Sequence, residues 1–121
     1  MQHRPLFFSF RDAFRGMGYV LRTQRNAKIQ CGIGTVTLIA AAFFRLPPRD
    51  WALLALTITA VLAAEAGNTV VETMIDEISP SPSEMARIAK DASAGAVLLV
   101  AIGAIVVGLF ILGPPLWKLV T

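Results

Sequence analysis

Only one cysteine and one histidine occur in the 121 residues, Cys31 and His3. A single cysteine closes no internal disulfide, and one histidine at the terminus supplies neither the ligand set of an ordinary zinc site nor a placed histidine triad. Cys31 opens an apolar run and reads as a small buried hydrophobe. His3 is expected at a frayed terminus. Charge is also scarce, at 16% of residues against 55% hydrophobic, with a mean hydropathy of +0.65. A soluble domain of this size needs more surface charge, so an integral membrane protein with short spans is expected. No glycine-rich phosphate loop of the Walker type is present. No nucleic-acid-binding pattern is visible, and the basic N-terminal residues suit anionic lipid headgroups better. Any chemistry must rest on carboxylates, Lys, Arg and amides.

Residues 6–25 place Phe7, Phe10, Phe14, Met17 and Leu21 three or four apart, with most arginines off that stripe. This predicts an amphipathic helix at the membrane surface. The segment is polar and aromatic, unlike a cleavable signal. A first span is expected at 29–44, short, almost purely apolar, and ended by the prolines of "RLPPRD". A second helix is expected at 51–78, with Trp51 as an interfacial anchor. The Ser/Pro stretch 79–84 reads as a loop, and Ser83 as the N-cap of a short polar helix. A third span is expected at 92–112, stopped by "GPP". The fold class is therefore an all-α membrane protein: a surface helix plus three transmembrane helices in one domain.

Lys and Arg set the orientation. The segment to Lys28 and the 79–91 loop carry eight, and the opposite side carries Arg45, Arg49 and Lys118. Eight against three puts the N-terminus and that loop in the cytoplasm.

The second span carries the chemistry. From Trp51 to Ala64 it has no charge, and at 1.5 Å per residue this covers only about 21 Å. The hydrocarbon core is about 30 Å thick. "EAGNTVVETMID" then follows. On a helix, Glu65, Asn68, Glu72 and Asp76 fall at roughly 0°, 300°, 340° and 20°, one stripe about 80° wide. Glu77 falls off it. A row of acids on one face repels itself unless cations or hydrogen bonds compensate. Such spacing suits Mg²⁺ and phosphate, since Mg²⁺ takes one or two carboxylates plus phosphate oxygens. Asp76 has an ordinary alternative as a solvated helix end. Glu65, at membrane depth, reads as functional. Lys90 could neutralise the stripe or hold a phosphate, or simply snorkel at the interface.

Three motifs together resemble the small prokaryotic diacylglycerol kinase family, which includes undecaprenol kinases: "QRNAKI" at 24–29, "EAGNTVVETMID" at 65–76 and "IAKDASAGAV" at 88–97. The likeness runs from about Phe10 to Pro115. It implies a trimer of three-span subunits in the bacterial plasma membrane, with active sites at the cytoplasmic boundary. It implies ATP and Mg²⁺ as cofactors and a membrane lipid alcohol as acceptor, diacylglycerol first and undecaprenol second. By the same resemblance Glu65 is the general base, Glu72 a metal ligand, and Asn68 a cofactor-site residue that orients Glu65 and the phosphate region. Asp76 and Asp91 help hold the nucleotide, and Lys90 contacts its phosphates. Two positions depart from many relatives. Gln24 stands where they carry a Glu, a second metal ligand, and Ser83 where they carry a His. A catalytically inactive structural subunit, or an ion pathway built on Glu65, are the competing classes; the latter lacks polar partners on spans one and three.

Overall fold

The computed structural model describes residues 5–81 and 83–121. His3 lies outside the described residues, as does Pro82 of the expected Ser/Pro loop. Four helices follow one another: α1 (Leu6–Thr23), α2 (Arg25–Phe43), α3 (Pro48–Ile78) and α4 (Glu84–Val120). No strand forms among the described residues.

A helix forms where the surface helix is expected: α1, two residues shorter than 6–25. Gln24 interrupts it with an extended backbone, φ −100° and ψ 117°. The Gln24 N–H still closes α1 on the Val20 carbonyl at 2.9 Å, while its own carbonyl accepts from Lys28 N–H and starts α2. So α2 begins at Arg25, not at residue 29. Arg25, Asn26 and Lys28 carry no helix-breaking side chain, and polarity alone does not end a helix.

α2 ends in a Schellman closure. Leu46 N–H reaches the Ala41 carbonyl and Arg45 N–H the Ala42 carbonyl, with Arg45 left-handed at φ 53°. The next helix starts at Pro48, three residues before the expected Trp51. Pro48 sits in the first turn, where a missing N–H has no intrahelical partner to lose. The proline pair thus separates two helices by opening the second.

The third expected span needs a larger correction. The short polar helix and the span 92–112 are one uninterrupted helix, α4, and "GPP" does not stop it: Pro114 and Pro115 lie inside. Gly113 has no Cβ to collide with the ring of Pro114, which removes one of the clashes that makes proline a breaker. Ser83 caps the helix as expected, its Oγ accepting from Ala86 N–H at 3.1 Å.

α3 is the central element, packed against α4 and α2 and touching α1. Its buried side chains Leu54, Val61, Glu65 and Thr69 recur at seven- and four-residue steps, one line down the helix. Gly34 permits a close approach of α2: a Cβ there would lie 3.3 Å from Ile58 Cγ2. α3 and α4 are long and apolar enough to cross a membrane. α4 buries none of its residues, and Leu99, Ile105, Leu109 and Phe110 are all largely exposed. Apolar surface on this scale needs a solvent or partner other than water.

Candidate active site

The acidic stripe survives folding, but burial divides it. Glu65 retains only 3% of its accessible surface, whereas Asp76 is exposed. Depth therefore falls off steadily along one face of α3, over eleven residues or about 16 Å. Beside Glu65, buried Thr69 donates its hydroxyl to the Glu65 carbonyl oxygen at 3.0 Å. Thr69 was not singled out in the sequence, although its place one turn after Glu65 is the available signal.

Asn68, expected to orient Glu65 and the phosphate region, donates its amide Nδ2–H to Glu72 Oε1 at 3.2 Å. The orientation of the amide follows from chemistry, since only the NH₂ end can face a carboxylate. The carbonyl end, Asn68 Oδ1, is left buried with no hydrogen-bond partner among the described residues. A buried acceptor without a donor calls for an explanation such as a bound cation or ligand.

At the outer end, Lys90 of α4 bonds Asp76 of α3 at 2.5 Å. The structure thus joins two of the expected site residues across the helix pair. Asp91, next along, takes Arg87 Nη1 at 3.1 Å, and Glu84 lies 3.9 Å from the same guanidinium. In the sequence Arg87 counts toward the charge bias only and carries no site signal. These groups line a cavity of about 600 Å³ together with Ser79, Ser81 and Ser83.

Gln24 stands apart from the others. Half-buried at the α1–α2 junction, its Nε2 donates to Thr23 Oγ1 at 3.4 Å, and no hydrogen bond joins it to Glu72.

No group of three or more His, Cys, Asp or Glu forms a metal cage among the described residues. That arrangement still suits Mg²⁺, which takes few protein ligands and completes its shell with water and phosphate oxygen. Glu72 and the orphaned Asn68 oxygen, both hard oxygen donors, fit that ion.

An all-helical chain with two candidate membrane helices, and a graded acidic stripe met at its outer end by a lysine, defines the class. Residues 11–112 match the prokaryotic diacylglycerol kinase family, and the chain belongs to it. It is 44% identical over 115 residues to a diacylglycerol kinase of Synechocystis sp., covering 94% of this chain and 66% of that protein. It is 34% identical over 110 residues to an undecaprenol kinase of Bacillus subtilis, covering 91% of this chain and 89% of the relative. The chain therefore spans a little under two thirds of the length of the Synechocystis protein.

Proposed function

We propose that the protein is an ATP- and Mg²⁺-dependent lipid kinase that phosphorylates the hydroxyl of diacylglycerol to give phosphatidic acid. The observation that carries this reading is the order of groups along the site. A buried carboxylate, Glu65, is followed by the Asn68–Glu72 pair and then by a cation, Lys90, held against Asp76. That order matches the demands of phosphoryl transfer, which rests on positioning and charge stabilisation.

In this scheme Glu65 removes the proton from the lipid hydroxyl. The hydroxyl oxygen forms a bond to the γ-phosphorus as the bond to the leaving ADP oxygen breaks. Asn68 holds the Glu72 carboxylate in place, and Lys90 faces the phosphate tail. Glu72, with the amide oxygen of Asn68, would hold Mg²⁺, which would supply neutralisation of phosphate charge; Gln24 would join them only by moving from its bond to Thr23. Asp76 and Asp91 hold the nucleotide.

The protein sits in the bacterial plasma membrane with its N-terminus and site in the cytoplasm, following the Lys/Arg bias. α2 is its third span. Its uncharged residues 29–43 give about 22 Å of helix, and Arg25 and Lys28 before them suit the headgroup region. The working unit is a homotrimer, which would cover part of the α4 surface that one chain leaves bare. A second reading, undecaprenol kinase, is favoured by the more even length match to the Bacillus relative.

The test is transfer of labelled phosphate from ATP by purified protein in mixed micelles, with diacylglycerol and undecaprenol offered separately. Transfer to diacylglycerol is expected. Preference for undecaprenol would move the assignment to the second reading. Transfer to neither, with folded protein and Mg²⁺ present, would leave an inactive structural subunit.

A further inference from the structure

The outer cavity is lined by three carboxylates, Asp76, Glu84 and Asp91, and by two cations, Arg87 and Lys90. Its formal charge is therefore −1. A bare triphosphate does not suit such a cavity; a neutral group with hydroxyl donors does. Lys90 is committed to Asp76, on the side nearer the stripe. Arg87 lies one turn earlier on α4. Because α3 and α4 run antiparallel from the 79–83 connection, that turn carries Arg87 away from Glu65, by about 4.5 Å beyond Lys90.

Arg87 is held without being used up. Asp91 and Glu84 contact only its terminal nitrogens, and its side chain stays 64% exposed beside the cavity. Such exposed pairs contribute little to stability, and in this structure they set the guanidinium edge, not its face, toward the two carboxylates. A planar cation fixed at its edge leaves its face free to stack on an aromatic ring. The carboxylates bound to it each have a second oxygen, which can accept from sugar hydroxyls.

We infer that Arg87 is a specificity residue for the nucleoside end of the phosphoryl donor, its guanidinium face stacking on the base while Asp91 or Glu84 accepts from the ribose. This rests on the kinase reading above and adds Arg87 to a nucleotide site for which that reading names only Asp76, Lys90 and Asp91. The spacing agrees: the phosphate tail then runs inward past Lys90 and Glu72 to Glu65.

The decisive experiment compares wild type, Arg87→Ala and Arg87→Lys in micelles. Binding of a non-hydrolysable ATP analogue is measured by calorimetry with Mg²⁺, beside kinetics with varied ATP. The alanine variant is expected to bind the analogue about tenfold more weakly, as for loss of a partly desolvated cation–π contact. The KM for ATP rises by a similar factor while kcat stays within about twofold, the pattern of uniform binding removed. The lysine variant, keeping charge but not the planar face, is expected to remain as weak. Unchanged binding by Arg87→Ala, or full recovery by Arg87→Lys, overturns the inference while leaving the kinase reading intact. No nucleotide binding by the wild type overturns both.

Discussion

Replacing Asn68 by Asp turns the hydrogen bond at the middle of the stripe into a confrontation of two carboxylates. The existing contact is 3.2 Å, from Asn68 Nδ2 to Glu72 Oε1. Two unit charges at that distance repel by about 5 kcal/mol at an effective dielectric of about 20. A freely solvated pair one helical turn apart would repel by only about 0.5 kcal/mol. Glu72 is half-buried, so side-chain rotation relieves part of the strain but not all of it. The lost hydrogen bond to a charged acceptor is itself worth about 1.5–3 kcal/mol. A loss of about 2–4 kcal/mol is therefore expected without divalent cation. Asn68→Leu is the control, because it loses the hydrogen bond without adding charge. Unfolding midpoints of both variants in detergent micelles, with EDTA and then with Mg²⁺, separate the terms. In EDTA the Asp variant should melt below the Leu variant. Mg²⁺ should raise the Asp variant selectively, since a cation held between two carboxylates stabilises the folded state by mass action. An Asp variant that matched the Leu variant in EDTA, or a gap that Mg²⁺ did not narrow, would refute this account of the stripe as a metal surface.

Glu65→Gln should lower phosphoryl transfer by about 10²–10⁴-fold, the usual worth of a general base, with no loss of melting temperature; near-full activity would remove Glu65 from that role. Gly34→Val should destabilise the α2–α3 contact by about 1–3 kcal/mol, because its first added carbon already meets Ile58 at 3.3 Å and two methyls follow. Gly34→Ala should be close to neutral, as the gain in helix propensity offsets the tight contact; chemical denaturation in micelles measures both. Gln24→Glu should lower the Mg²⁺ concentration needed for half-maximal activity, and an unchanged requirement would mean that Gln24 is remote from the metal.

Periodicity and the polar breaks between apolar runs predict five helical stretches, and the structure joins the last two into α4. The errors share a cause. Local sequence makes both proline pairs look like terminators, yet Pro48 begins a helix and Pro114 and Pro115 lie within one. A proline's effect depends on which neighbouring backbone groups need its missing N–H, and on whether the preceding residue has a Cβ. Local composition does not specify this fully. The separation of a polar cytoplasmic helix from the last span failed similarly: the shift from "IAKD" to apolar residues changes polarity without changing backbone conformation, so α4 runs straight through.

The stripe Glu65, Asn68, Glu72 and Asp76 was legible because a helix converts spacing directly into angle. No other element is needed to know that these residues share a face. What periodicity could not supply is whatever requires a second helix or a rotamer. That Glu65 is buried while Asp76 is exposed depends on how the neighbouring helices cover α3. That Asn68 turns to Glu72, leaving its oxygen without a donor, depends on side-chain torsion. The Lys90–Asp76 pair joins residues fourteen apart in the chain, and only the packing of α4 against α3 brings them together. The sequence by itself thus determined the helical class, the apolar lengths and the membership of the acidic face, all properties of single helices. The tertiary structure alone decided depth, partners and the outer cavity, because these arise where one helix excludes water from another.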